Sequence, residues 1–104
     1  TETHLKAIEE IEIFVGGVTF HVFLKNDILS RAVLFQFSVI GEAKNHVESE
    51  ILNKYDYPWY KVRSFRNLIS HEYFNIKLEA IWRIIENDLP ELKKIINVIL
   101  DNEF

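Results

Sequence analysis

Apolar residues recur at intervals of three and four along most of the chain, the spacing that one face of an α-helix shows. Residues 2 to 15 have this spacing, with acidic residues between the apolar ones, and Gly16-Gly17 ends the segment. The following stretch, TFHVFLKN, is interpreted as a short helix or turn, because a strand there would have no obvious partner. The chain therefore begins as a helical protein.

A second long helix is predicted from a cap at Asn26 or Asp27 to about residue 46. Its apolar positions form two faces, which are Ile28, Ala32, Phe35 and Val39 on one side and Leu29, Val33, Phe37 and Ile40 on the other. A helix with two apolar faces is buried on both sides. In a domain this small, one of the two faces is a candidate subunit interface.

The second half of the chain predicts three further helices. A polar connector is expected from about residue 47 to 57, and Pro58 suits the first turn of the third helix. That helix is expected to end near His71 or Tyr73, after burying Trp59, Val62, Phe65 and Ile69. Pro90 is expected to break or kink the chain between the fourth and fifth helices. Their apolar positions are Leu78, Ile81, Trp82 and Ile85 in the fourth and Leu92, Ile95, Ile96 and Ile99 in the fifth.

The pattern as a whole predicts an all-α fold, an antiparallel bundle of four to five helices formed as one domain by residues 1 to 104. With 3 glycines and 2 prolines the chain has few of the turn residues that an all-β protein needs. It has no cysteine, which excludes disulfides, thiolate zinc sites and cysteine nucleophiles. No apolar run is long enough to cross a bilayer, so we expect a cytoplasmic protein without a membrane partner. The absence of an initiator methionine is consistent with a trimmed N-terminus.

Charge singles out one segment of the chain. The net charge is -4, yet no acidic residue occurs between Asp56 and Glu72. The basic residues of this window are Lys61, Arg63, Arg66 and His71. A locally positive window in an acidic protein is a candidate site for a phosphate-bearing ligand.

Arg66 and His71 are the two residues of this window with chemistry suited to cutting RNA. A ribose hydroxyl attacks its own phosphate if a base takes its proton and an acid protonates the leaving oxygen, and histidine serves either way near neutral pH. Arginine donates a bidentate pair of hydrogen bonds to phosphate oxygens and stays charged as the transition state forms. This mechanism requires no metal ion.

The spacing of the two residues leaves their geometry open. Five positions on a straight helix place them roughly 140° apart around its axis, so they would not converge. Unwinding at the helix end would bring them together, and so would pairing of two subunits across a two-fold axis. The alternative interpretation is a solvated helix end without catalytic chemistry.

Other polar residues give less specific signals. His46 and Glu50 lie four apart and could hold a metal ion, but one such pair is common by chance. Glu42 follows Gly41 inside an apolar helix, where a carboxylate needs a partner, as a buried contact or as part of a site. His4 has no partner at an informative spacing.

Four segments in order resemble the HEPN superfamily, in the form found in HepT-like proteins. RNLISHEY, residues 66 to 73, matches the R-x4-H-x-Y motif. VIGEAKNHV resembles the family's Gly-Glu-Ala segment on the second helix. YPWYKVRSFRNLISHEYF resembles its Pro-Trp segment and the helix end that follows, and IWRIIENDLPELKKII resembles its closing Trp and Asp-Leu-Pro segments. Residues 1 to 26 match in pattern only.

The resemblance implies a homodimeric, metal-independent endoribonuclease without a cofactor, the toxin of a toxin–antitoxin pair. Arg66 would stabilise the phosphate, His71 would be the general acid or base, and Asn67 would orient His71 or contact RNA. Tyr73 would receive AMP from an MntA-type nucleotidyltransferase antitoxin. Lys61, Arg63 and Ser70 would support RNA binding.

Two further hypotheses compete with a nuclease. One is a noncatalytic subunit that binds a minimal nucleotidyltransferase and presents substrate or nucleotide to it. The other is a helical dimerisation domain without further activity. Replacing His71 distinguishes the nuclease from the binding subunit, because a nuclease requires this histidine and a binding subunit tolerates its replacement.

Overall fold

A computed structural model describes residues 2–42, 46–66 and 78–104 of the chain. These residues form helices and turns, and no strand occurs among them. The helices are α1 (Glu2–Val15), α2 (Phe20–Lys25), α3 (Asp27–Glu42), α4 (His46–Asn53), α5 (Trp59–Ser64), α6 (Leu78–Arg83) and α7 (Leu89–Glu103). A π-helical segment, Ile84–Asp88, joins α6 to α7. The predicted all-α fold is confirmed.

The core lies where α1, α3 and α7 pack together. Each of these helices buries one apolar stripe, with Ile8 and Ile11 from α1, Val33, Phe37 and Ile40 from α3, and Leu92, Ile96 and Ile99 from α7. Burying such side chains is the main driving force for the fold, at about 1.5–3 kcal/mol for each fully buried one. Lys93 of α7 also forms an ion pair with Glu12 of α1, at 2.8 Å.

The predicted starts of α2 and α3 are confirmed by their caps. The Thr19 hydroxyl accepts a hydrogen bond from the Val22 amide at 3.3 Å, so TFHVFLKN forms a short helix. Asn26 Oδ1 accepts from the Leu29 amide at 3.0 Å, which identifies Asn26 as the capping residue of α3. Both bonds satisfy amides that a helix start leaves unpaired.

The expected polar connector between residues 47 and 57 was wrong. Residues His46–Asn53 form α4, which buries Leu52 in the core. The segment after α4 is fixed to the end of α7, where Lys54 and Tyr55 bind the Glu103 carboxylate at 3.3 and 2.9 Å. One buried face is enough to make a polar octapeptide helical in a folded protein.

The predicted boundary between two helices at Pro90 is confirmed, although the chain stays helical across it. The chain continues from α6 through the π-helical segment into α7, and the Leu89 amide donates to the Ile84 carbonyl, the five-residue spacing of a π-helix. Pro90 lies in the first turn of α7. A proline there costs little, since first-turn amides have no acceptor within the helix.

Candidate functional site

The basic window begins on α5 and extends to the residues that follow it. Lys61, Arg63 and Arg66 are all exposed. Arg63 and Arg66 lie one helical turn apart, because Phe65 keeps a right-handed helical backbone after α5 ends. The two arginines are therefore close in the chain at one exposed surface.

Two buried aromatic residues, Trp59 and Phe65, hold this segment against the core. The Phe65 ring packs edge-on against Phe37 of α3, with ring centroids 5.1 Å apart. Trp59 is buried, as predicted, and its indole N–H donates to the Tyr55 carbonyl at 3.2 Å. This arrangement anchors one face of α5 in the core and leaves the basic face to solvent.

Gly41 of α3 packs directly against the backbone of Arg66. A Cβ atom at position 41 would fall 2.9 Å from the Arg66 Cβ and 3.0 Å from its Cα, and nearer still to its amide nitrogen. These distances leave no room for any side chain at position 41. Gly41 thus lets α3 approach the backbone that carries Arg66, a role that glycine serves at close helix contacts.

Only an indirect signal of this contact is present in the sequence. A glycine inside an apolar helix costs about 1 kcal/mol relative to alanine, so its presence indicates a packing requirement. What it packs against depends on the fold. Glu42, for which we expected a buried partner or a place in the site, is exposed instead.

Four of the predicted site residues lie outside the described residues, namely Asn67, Ser70, His71 and Tyr73. The predicted burial of Ile69 also falls there. The third helix, which was predicted to end near His71 or Tyr73, ends at Ser64 instead, so that prediction was wrong. The structure thus locates Arg66, Arg63 and Lys61, and the convergence of Arg66 with His71 stays a prediction.

A pocket of about 250 Å³ opens next to the Gly41 contact. Its walls come from α1, α3, α4 and α5, and the lining residues include His4, Gly41, Asn53, Trp59 and Arg63. Since Gly41 lines the pocket and also touches Arg66, the pocket and the motif arginine share a wall.

His4, for which the sequence indicated no role, is the buried polar residue of this pocket. Its side chain is 2% exposed, and Nδ1 has no hydrogen-bond partner within the described part of the chain. A hydrogen bond joins the ring to the backbone of Ile40. Sequence reasoning missed His4 because its neighbours come from distant helices.

Burial lowers the pKa of His4 from 6.5 to about 4, since a charged ring is poorly solvated there. The Glu48 carboxylate and the Ile40 hydrogen bond act in the opposite direction and are smaller. His4 is therefore neutral at physiological pH.

The described helices add no cluster of three or more metal-ligating side chains. Glu50, which pairs with His46 by sequence, is exposed. Within the described ranges, no helix is both long and apolar enough to pass through a bilayer.

Comparison with known proteins identifies the family. The sequence model described as "Ribonuclease HepT-like" matches residues 4–99, nearly the whole chain and all of the basic window. The chain belongs to the HepT-like ribonuclease family. The resemblance seen in the four sequence segments is thereby confirmed at the level of the family.

Individual relatives agree with this assignment. A Methanocaldococcus jannaschii protein named a "Putative RNase" is 36% identical over 95% of this chain and 84% of its own length. One from Caldanaerobacter subterraneus with the same description is 34% identical over 86% of this chain and 80% of its own. A Thermococcus cleftensis protein named "Probable ribonuclease HepT" is 29% identical over 85% and 81%, respectively. No solved structure matches the chain.

Proposed function

We propose that this protein is an endoribonuclease that cleaves RNA without a metal ion, using Arg66 and His71. The observation that carries the proposal is the placement of Arg66 in a chain of the HepT-like ribonuclease family. Arg66 is exposed, it begins the R-x4-H-x-Y segment, and its backbone is held against Gly41. An arginine fixed by its backbone is positioned to bind a phosphate with little loss of entropy.

The chemistry follows from these two side chains. The 2′-hydroxyl of a ribose attacks the adjacent phosphorus, and the bond from phosphorus to the 5′-oxygen breaks. His71 takes the hydroxyl proton or gives a proton to the leaving oxygen, and water accepts or supplies the other proton. The products are a 2′,3′-cyclic phosphate and a 5′-hydroxyl. Arg66 stabilises the charge on the phosphate oxygens in the transition state.

Other residues of the window serve binding in this scheme. Arg63 and Lys61 are exposed and contact neighbouring phosphates. Each such contact adds affinity that falls with salt concentration, as counterions leave the RNA. Asn67 orients His71 or contacts the RNA, and Ser70 supports the same surface.

We extend the proposal to a homodimer with both motifs in one cleft. The support is the outer face of α3, where Ile28 is 83% exposed and Phe35 is 56% exposed. Ala32 and Val39 continue the same stripe and are half-buried. Apolar side chains aligned on one exposed helix face are typical of an interface. A two-fold axis there supplies an Arg66 and a His71 from different subunits to one phosphate.

The proposal also includes a role as the toxin of a cytoplasmic toxin–antitoxin pair. An MntA-type nucleotidyltransferase inactivates it by transferring AMP to Tyr73. The tyrosine oxygen attacks the α-phosphorus of ATP, the bond to the β-phosphate breaks, and pyrophosphate leaves. The attached nucleotide places a bulky anion beside Arg66, which repels and blocks an RNA backbone.

Cleavage assays on paired variants test the nuclease proposal. Arg66→Ala and His71→Ala should each lose cleavage of a mixed single-stranded and structured RNA in the presence of a chelator. Arg83→Ala is the matched control, since Arg83 is an exposed arginine whose ion pair, with Glu79 at 2.8 Å, lies on another helix. Mass spectrometry must first show that Tyr73 is unmodified. Inactive wild-type protein with a bare Tyr73 would contradict the proposal and favour a noncatalytic partner subunit.

A further inference from the structure

Tyr60 is an exposed aromatic side chain in the middle of the basic window. It is 64% exposed and directly follows the buried Trp59 on α5. Two other aromatic side chains of the described residues have comparable exposure, but Phe35 lies on α3 and Phe104 directly follows α7. A single exposed ring is common at protein surfaces, so the side chains around it decide what it can bind.

Cations lie on both sides of Tyr60. At 3.6 residues per turn, Arg63 is about 60° from Tyr60 around the axis of α5, and Lys61 is about 100° away in the other direction. Both side chains are exposed. The sequence has no acidic residue between Asp56 and Glu72 to oppose them. An aromatic ring between two cations suits a single nucleic-acid strand, because phosphates pair with the cations while a base stacks on the ring.

Buried neighbours hold the backbone beneath the Tyr60 ring. Trp59, Val62 and Phe65 are each at most 7% exposed, so the side of α5 away from Tyr60 is anchored in the core. A tyrosine side chain has only two torsion angles, and a ring on a fixed backbone therefore loses little conformational entropy when a base covers it. Tyr60 is thus a rigid surface for stacking.

The position of Tyr60 along the chain relates it to the proposed phosphate site. Tyr60 and Arg63 are one turn apart on α5 and are therefore neighbours. Arg66 follows three residues later, so the helical rise from Tyr60 to Arg66 is about 9 Å. A base on Tyr60 therefore belongs to a nucleotide close to the phosphate that Arg66 binds.

We propose that Tyr60 is a stacking platform for one unpaired base of the RNA substrate, with Arg63 and Lys61 contacting phosphates beside that base. The inference deepens the proposed ribonuclease function and rests on it. Every base has a flat face, so the platform accepts bases without regard to sequence. The bases of a duplex are already stacked on one another, so the platform favours single-stranded RNA.

Two cleavage-resistant probes separate base contacts from phosphate contacts. One is a fluorescent 2′-fluoro oligoadenylate, in which no 2′-hydroxyl can attack, and the other has the same number of phosphates but carries tetrahydrofuran spacers in place of its nucleosides. Fluorescence anisotropy should show that the wild-type protein binds the oligoadenylate roughly tenfold more tightly, the ratio expected for one base stacked on an aromatic ring. Equal affinity for the two probes, or binding of neither, would overturn the proposal.

Substitutions assign this difference to the Tyr60 ring. Tyr60→Ala should bind the oligoadenylate roughly tenfold more weakly and the spacer probe as the wild type does, whereas Tyr60→Phe should keep the preference for the oligoadenylate. Phe104→Ala is the matched control, since it removes an exposed ring outside the basic window and should bind both probes as the wild type does. Arg63→Ala should weaken both probes equally and reduce the salt dependence, because it contacts phosphate. Equal loss of both probes in Tyr60→Ala would overturn the proposal.

A protein contact at Tyr60 is the competing outcome. If Tyr60→Ala dissociates the proposed dimer in sedimentation velocity and keeps the preference for the oligoadenylate, the ring belongs to a subunit contact and the proposal is wrong. The platform and the nuclease also fail separately. Preference for the oligoadenylate without cleavage of ordinary RNA would retain the platform and remove the nuclease, whereas cleavage with equal affinity for both probes would do the reverse.

Discussion

The α-carbon of Gly41 lies against the backbone of Arg66, so α3 fixes the point where the R-x4-H-x-Y segment begins. Gly41→Ala should force the two segments apart, because the new methyl group would overlap backbone atoms that cannot move aside. We expect a loss of about 1–3 kcal/mol in the free energy of unfolding. RNA cleavage should fall by on the order of 100-fold, the effect of moving a positioning group by about 1 Å. Urea denaturation and a cleavage assay measure the two quantities.

Gly17→Ala is the control for that prediction. Gly17 has a φ of 73° and no heavy atom near its added Cβ, so alanine there strains the backbone without a clash. It should cost about 1 kcal/mol of stability and leave the activity of the folded protein unchanged. Equal loss of activity in both variants would indicate a general effect of stability rather than displacement of Arg66.

Replacing Phe35 with glutamate tests the interface on α3. Two charged residues facing each other across a two-fold axis, in place of apolar contact, should dissociate the proposed dimer into monomers. Cleavage should fall with dimerisation if both subunits contribute to one site. Sedimentation velocity measures the change. Ile13→Glu on α1 is the control, since Ile13 is 71% exposed and should leave the assembly intact. A dimer that survives Phe35→Glu would show that another surface pairs.

The buried His4 predicts how stability depends on pH. Its pKa is about 4 in the folded protein, against 6.5 for an exposed histidine, so the unfolded chain binds more protons between these values. Neutral His4 therefore makes its full contribution to the free energy of unfolding above pH 6.5. This contribution, up to about 3 kcal/mol, is lost as the pH falls towards 4. Chemical denaturation across this range measures it.

His4→Gln should flatten the dependence between pH 6.5 and 4, because glutamine does not titrate. His21→Gln should leave it unchanged, since His21 is exposed. The comparison concerns the slope with pH, so a constant loss of stability in His4→Gln does not affect it. Identical slopes for wild type and His4→Gln would show that folding does not lower the pKa of His4.

Tyr73→Phe tests the proposed inactivation. With ATP and an MntA-type nucleotidyltransferase, the wild-type protein should gain the mass of one adenylyl group and lose cleavage. Tyr73→Phe lacks the accepting oxygen, so it should keep its mass and its activity under the same conditions. Tyr60→Phe, at an exposed tyrosine of α5, should behave as wild type does. Adenylylation of Tyr73→Phe would assign the modification to another residue.

Helical periodicity was sufficient to predict the fold class and several elements. The bounds of α1, the short α2 and the Asn26 cap all follow from spacing and local chemistry. The two faces of α3 were also predicted from the pattern, although the structure buries only the face of Val33, Phe37 and Ile40. Ile28 and Phe35 of the other face are exposed, so the described structure accounts for burial of only one of the two faces.

The features that spacing alone did not predict depend on residues distant in sequence. The sequence of α4 is polar, and the helix packs Leu52 and Ile51 against the core. The contact of Gly41 with Arg66 and the pocket around His4 join separate helices, and no local pattern indicates which helices meet.

The end groups of cleaved RNA test the central claim most directly. Unmodified protein is incubated with an RNA and with a DNA of the same sequence, both in excess chelator. We predict that only the RNA is cut, and that its products carry 2′,3′-cyclic phosphate and 5′-hydroxyl ends, because the ribose hydroxyl is the nucleophile. Cleavage of the DNA, products with 5′-phosphate ends, or no cleavage at all would contradict a metal-independent ribonuclease centred on Arg66 and His71.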